Sequence, residues 1–100
     1  MEDVKAFPTE ARKDIGYQLY RIQEGVEPSD WRPMNTIDAG VREIRIHAWN
    51  EYRIIYVAKF NEAIYVLHAF VKKTAKTPKR DIALAMERFR QLEKLRKEKS

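Results

Sequence analysis

Between Val41 and Val71 the chain carries three runs of β-branched, aromatic and other apolar residues almost back to back, and this triplet limits the fold more than any other feature. The runs are Val41 to His47, Tyr52 to Phe60 and Ala63 to Val71, joined by turns of a few polar residues. Connections that short cannot hold a crossover helix, so the strands they join run antiparallel. In the first run Glu43, Arg45 and His47 alternate with Ile44 and Ile46, the pattern of a sheet with one wet side. The other two runs are apolar on both faces and belong at the centre, with Asn61-Glu62 as their hairpin connection. Helices are expected on one face only.

Helical spacing brackets this sheet. From Pro8 to Glu24 the apolar residues Ala11, Ile15, Leu19 and Ile22 recur every three or four positions, Pro8 suits a first turn, and Gly25 supplies a stop. Val26 to Gly40 contains Pro28, Pro33, Asn35 and Asp38 and reads as a surface connection pinned by Trp31 and Met34. Thr77 suits the N-cap and Pro78 the first turn of a last helix whose stripe is Ile82, Ala85, Met86, Phe89 and Leu92. The expected fold is α+β: a small antiparallel sheet of three or four strands, with an N-terminal helix or helices and a C-terminal helix packed on one face. At 100 residues this is one domain over 1–100, with 94–100 a frayed basic tail.

Scarce residue types exclude much chemistry. Without cysteine there is no disulfide, thiol nucleophile or thiolate zinc site, which fits a reducing cytoplasm. The two serines, Ser29 and Ser100, form no nucleophile elbow, and Gly16, Gly25 and Gly40 are too scattered for a phosphate-wrapping loop. No apolar run approaches the ~20 residues of a membrane span, and the N-terminus has no signal-peptide pattern. His68, inside Tyr-Val-Leu-His-Ala-Phe, reads as a hydrogen-bonded core histidine. The remaining His47 and the scattered carboxylates offer no ligand spacing for a metal.

Charge is lopsided. Residues 1–71 hold 9 basic and 11 acidic side chains, whereas 72–100 hold 11 basic and 4 acidic ones, so the net +5 of the chain is concentrated at its C-terminal end. Lys72, Lys73, Lys76, Lys79 and Arg80 crowd the approach to the last helix, where the helix dipole already disfavours cations; a bound phosphate would turn that defect into a site. The alternative is a solvated loop. Arg45 and His47, with Arg53 returning beside them on the next strand, form a second cationic group, or else pair with Glu43 and Glu51 as surface ion pairs. Tyr52 and Trp49, beside the same turn, are candidates for stacking on bases or for capping the core.

Several stretches together resemble one family. They are Gly-Val-Arg-Glu-Ile-Arg-Ile-His at 40–47, Tyr-Arg-Ile-Ile-Tyr at 52–56, Tyr-Val-Leu-His-Ala-Phe-Val-Lys-Lys-Thr-Ala-Lys-Thr-Pro at 65–78 with Asp81-Ile82, Gly-Tyr-Gln-Leu-Tyr at 16–20 and Pro-Ser-Asp-Trp-Arg-Pro-Met at 28–34. The chain resembles the HigB-like branch of the RelE/ParE toxin superfamily over nearly its whole length. Such toxins usually carry more chain, often a strand, before the first long helix, so an open sheet edge is expected here.

The resemblance implies a cytoplasmic toxin of a type II toxin-antitoxin system, a ribosome-dependent endoribonuclease that cuts messenger RNA and so blocks translation. The 2′-hydroxyl of the RNA would attack the adjacent phosphate, which requires cations and proton carriers but no metal or other cofactor. By the same resemblance the catalytic positions are Arg45, Arg53, Lys72 and Lys73, with His47 a proton carrier. Lys76, Lys79, Arg80 and Tyr52 would bind RNA. The partners implied are ribosome, messenger RNA and a cognate antitoxin, a helix-turn-helix DNA-binding protein, with no membrane. Alternatives are a ParE-like gyrase inhibitor without nuclease activity and an RNA-binding module that never cleaves.

Overall fold

A computed structural model describes residues 7–60, 63–73 and 76–99. Helix α1 (Thr9–Gln23) is followed by strands β1 (Trp31–Pro33), β2 (Val41–Ala48), β3 (Asn50–Val57) and β4 (Tyr65–Val71), and helix α2 (Lys79–Lys99) closes the order. The strands form one antiparallel sheet in the order β1-β2-β3-β4, which is chain order. The α+β architecture and the β3–β4 hairpin are as expected; Asn61 and Glu62 themselves lie outside the described residues.

α1 stops where the sequence places its stop. Gly25 adopts φ 81°, its N–H donates to the Ile22 carbonyl at 3.0 Å, and the Val26 N–H donates to the Arg21 carbonyl at 2.8 Å, the Schellman pattern that a left-handed residue permits. Within the expected surface connection, Trp31–Pro33 pairs with Arg42–Ile44 and gives β2 an outer neighbour. Pro33 lacks an N–H, which suits an edge strand. At the far end, α2 runs on as helix to Lys99, through the segment expected to fray.

The helices take opposite faces, not one. Ala11 and Ile15 of α1 pack with Ile44, Ile46, Ala48, Tyr52, Ile54, Tyr56 and Ala69, while Ala85 and Phe89 of α2 pack with Met34, Val41, Ile55, Val57, Leu67 and Phe70. The reason lies in β3, where all six residues from Tyr52 to Val57 are buried. A strand apolar on both sides needs cover on both sides. A register shift between Ile55 and Tyr56 lets Leu67 of β4 turn to the α2 face.

The wet side of β2 is therefore only half a face. Val41 lies under α2, Glu43 is fully buried beside it, Arg45 is partly exposed and His47 is exposed. The α2 face is thus apolar at one end and ionic at the other. Because the two cores share no residue, Ile15→Ala and Phe89→Ala should each cost about 2–5 kcal/mol and their costs should add. Denaturant midpoints of both single variants and the double variant check this; a double variant hardly worse than either single would mean one shared core.

Candidate functional site

The ionic end is organised around the carboxylate of Glu43, which has 0% exposure. Arg32 Nε of β1 donates to Glu43 Oε1 at 2.9 Å, and the Thr77 hydroxyl donates to Oε2 at 2.9 Å. Arg32 Nη2 in turn donates to Thr77 Oγ1 at 2.8 Å, while Arg53 Nε of β3 stands 3.8 Å from Oε1. Burying a carboxylate is costly unless it is paired and hydrogen-bonded, and here two guanidiniums and a hydroxyl meet that need. Thr77 is thereby drawn away from the N-cap role its position suggested. The first turn of α2 is closed by the Pro78 carbonyl, which accepts from Asp81 N and Ile82 N at 3.1 Å each.

Outside this hub lies a rim. In the β2–β3 register Arg45 faces Arg53, a like-charge pair that would be repulsive alone. Carboxylates offset it: Asp30 Oδ1 stands 3.5 Å from Arg45 Nη1, and Glu51 Oε2 3.2 Å from Arg53 Nη1. Arg53 also donates to the Tyr52 carbonyl at 3.1 Å. His47 sits between two acids, with Nε2 2.8 Å from Asp30 Oδ2 and Nδ1 2.6 Å from Glu51 Oε2. Both ring nitrogens must donate there, so the geometry requires the imidazolium. These contacts raise the His47 pKa, Asp30 being the larger cause, and lower those of Asp30 and Glu51 through the hydrogen bond with His47.

Lys72, just after β4, completes the cluster. Its N–H donates to the Glu51 carbonyl at 2.7 Å, and its ammonium has no carboxylate within ion-pair distance among the described residues. Partial burial, then the charges of Arg53, Arg32 and Arg45, push its pKa down, with Glu43 opposing. With four permanent cations and one imidazolium against Asp30, Glu43 and Glu51, the rim keeps a net positive charge that is least neutralised at Lys72. Such a surface attracts phosphate.

Of the residues singled out in the sequence, Arg45, His47, Arg53 and Lys72 come together, and Glu43 and Glu51 pair with them as the ion-pair alternative anticipated. Lys73, Lys76, Lys79 and Arg80 are exposed beyond this group. Lys76 lines a separate cleft of about 570 Å³ with Arg32, Asn35, Thr36 and Thr77. Tyr52 does not belong to the site: it is 2% exposed, its ring lies on the α1 face, and its centroid is 4.7 Å from that of Phe7. Period-two alternation puts its side chain opposite that of Arg53. His68 is the hydrogen-bonded core histidine expected, its Nε2 2.7 Å from Asp81 Oδ1. Sequence reasoning missed Arg32 and Asp30, both in a stretch whose prolines argued for a loop.

The rim makes stability depend on pH. Because the His47 pKa is raised, its contribution is complete below the ordinary 6.5 and is lost as pH rises through the raised value. Asp30 and Glu51 have lowered pKa values, so theirs is complete above the ordinary 4.5 of Glu51 and is lost as pH falls through the lowered values. Stability should thus peak between 4.5 and 6.5, and His47→Gln should flatten the alkaline decline. Thermal unfolding across pH tests this; superimposable curves for parent and variant would exclude it.

Comparison with known proteins adds the family. The model of the family described as Phage derived protein Gp49-like (DUF891) matches residues 2–90, a span that includes α1, all four strands and the packed part of α2. No curated protein matches the chain. No helix among the described residues is long and apolar enough to cross a membrane. Matched over nearly its whole length, the chain belongs to the phage-derived Gp49-like family, a type II toxin family of the RelE/HigB-like kind.

Proposed function

We propose that this chain is a HigB-like toxin acting in the cytoplasm as a ribosome-dependent endoribonuclease, silenced by a cognate helix-turn-helix antitoxin. The observation that carries the reading is the cationic rim: Lys72 stands in the field of Arg32, Arg45 and Arg53 with no carboxylate at ion-pair distance among the described residues. A phosphodiester beside Lys72 supplies the counter-charge. In the reaction the RNA 2′-hydroxyl gives up its proton to solvent water, its oxygen bonds to phosphorus, the bond to the 5′-oxygen breaks, and a 2′,3′-cyclic phosphate and a 5′-hydroxyl result. The extra negative charge of the transition state falls where these cations converge. His47, held as imidazolium by Asp30 and Glu51, is the proton donor to the departing 5′-oxygen once the RNA displaces one of these carboxylates from its ring nitrogen. Arg53 is too deeply engaged with Glu43 and Glu51 to act alone; it sets the field that Lys72 feels.

Purified protein added to translating ribosomes should produce messenger RNA ends carrying cyclic phosphate and 5′-hydroxyl groups. Lys72→Met should lower the rate roughly a hundredfold or more, the usual cost of losing one transition-state donor. The same variant should unfold at an equal or higher temperature, because it removes a cation the folded state disfavours. Parental cleavage by a folded Lys72→Met protein would move the site elsewhere. If no RNA ends form and gyrase supercoiling stops instead, the ParE-like reading replaces this one.

Lys73, Lys76, Lys79 and Arg80 lie outside the rim and are proposed to contact backbone phosphates. Each alanine substitution there should flatten the salt dependence of RNA binding by about 0.7 in log–log slope while sparing the chemical step. An unchanged slope in the quadruple variant would remove this loop from the RNA surface.

A further inference from the structure

The turn between β2 and β3 consists of one residue. The register pairs Ala48 with Asn50 and His47 with Glu51, so Trp49 alone reverses the chain, at φ 73°. It is the one residue other than glycine with positive φ among the described residues, and for a bulky side chain that conformation is strained. Glycine or asparagine would turn the chain there at less cost. The indole gains nothing from the core in return: Trp49 is 94% exposed. A large aromatic held in a strained backbone and kept out of the core is a feature that stability does not explain.

Its surroundings suggest a use. The turn is clamped at its base by the His47–Glu51 contact of 2.6 Å and by the Lys72 N–H on the Glu51 carbonyl, so the indole projects from a braced support. Trp49, His47, Asn50, Glu51 and Lys72 line one cleft of about 330 Å³. An indole face and an ammonium on one cleft match the two parts of a nucleotide, a planar base and its phosphate. We propose that Trp49 is the stacking platform for an unpaired base of single-stranded RNA whose phosphate lies at Lys72. Asn50, exposed on the same cleft, is the side chain able to hydrogen-bond the edge of that base.

This inference rests on the reading of the rim as an RNA site, but it is tested without ribosomes and without cleavage. The probes are a short 3′-labelled oligoadenylate and the same ribose-phosphate chain lacking bases, with binding followed by anisotropy at fixed low salt. Trp49→Gly should weaken oligoadenylate binding roughly 5- to 150-fold, the equivalent of the ~1–3 kcal/mol of one stacked base. It should leave the base-free chain bound as before. Trp49→Phe should restore most of the affinity. The Trp49→Gly protein should also melt no lower than the parent, since glycine relieves the φ strain, whereas a structural tryptophan would lower the melting temperature. In a Trp31→Phe background, oligoadenylate should quench the remaining tryptophan emission. Equal binding of both probes by parent and Trp49→Gly proteins overturns the proposal, as does a Trp49→Gly protein that binds antitoxin more weakly but RNA unchanged. Cleavage by the parent with Trp49 indifferent to RNA would leave the nuclease reading standing and remove only this one; stacking without cleavage would do the reverse.

Discussion

The Glu43 carboxylate is the interaction on which the ionic half of the molecule depends. Held on β2, it draws its partners from three places, Arg32 from β1, Arg53 from β3 and Thr77 from the approach to α2. A buried ion pair is not in itself a large source of stability, but removing one partner strands the other, at a cost of about 3–5 kcal/mol. The arrangement therefore fixes geometry. With Glu43 satisfied by Arg32 and Thr77, Arg53 is held at the longer distance of 3.8 Å and can serve Glu51 as well. From there the chain of contacts passes to His47 and Asp30, and it leaves the Lys72 ammonium among cations, with no carboxylate at ion-pair distance among the described residues.

Much of the fold is legible in the residues because local rules agree with one another. The three-to-four spacing of Ala11, Ile15, Leu19 and Ile22 and the stop at Gly25 give α1 to within a residue at each end. Period-two alternation gives β2. Two features are less legible. β1 has three residues and ends on a proline, and a strand so short carries no periodicity of its own; its pairing with Arg42–Ile44 exists only once β2 is there. The placing of the helices is implicit in the unbroken apolar run of β3, which the alternation in β2 masks when the strands are read one at a time.

The site is legible as a set of cations and illegible as a set of pairs. Arg45, His47, Arg53 and Lys72 can be grouped from strand order alone, since antiparallel neighbours return to the same end of the sheet. What the sequence does not carry is that Asp30 reaches His47 across 17 positions, or that Thr77 leaves its helix for Glu43 across 34. Tyr52 and Trp49 show the same limit in reverse. Both lie at the β2–β3 hairpin, yet one belongs to the α1 core and the other, the turn residue itself, to solvent, and only the register decides between them.

The strand order also bears on how the molecule assembles. Because β1 to β4 lie side by side in chain order, every sheet pairing among the described residues joins successive strands, and none of them waits for a distant crossover. Contacts of low sequence separation form quickly, since little loop entropy is lost before they are made. The ionic face is different, for its hub needs Arg32 from before the long hairpins and Thr77 from after them. Its 45-residue closure, Arg32 on Thr77, comes after the sheet that supports it. Loop-closure entropy thus puts the charged surface last, and a chain caught with its sheet complete and its ends undocked would hold the strands of the fold without its ionic hub.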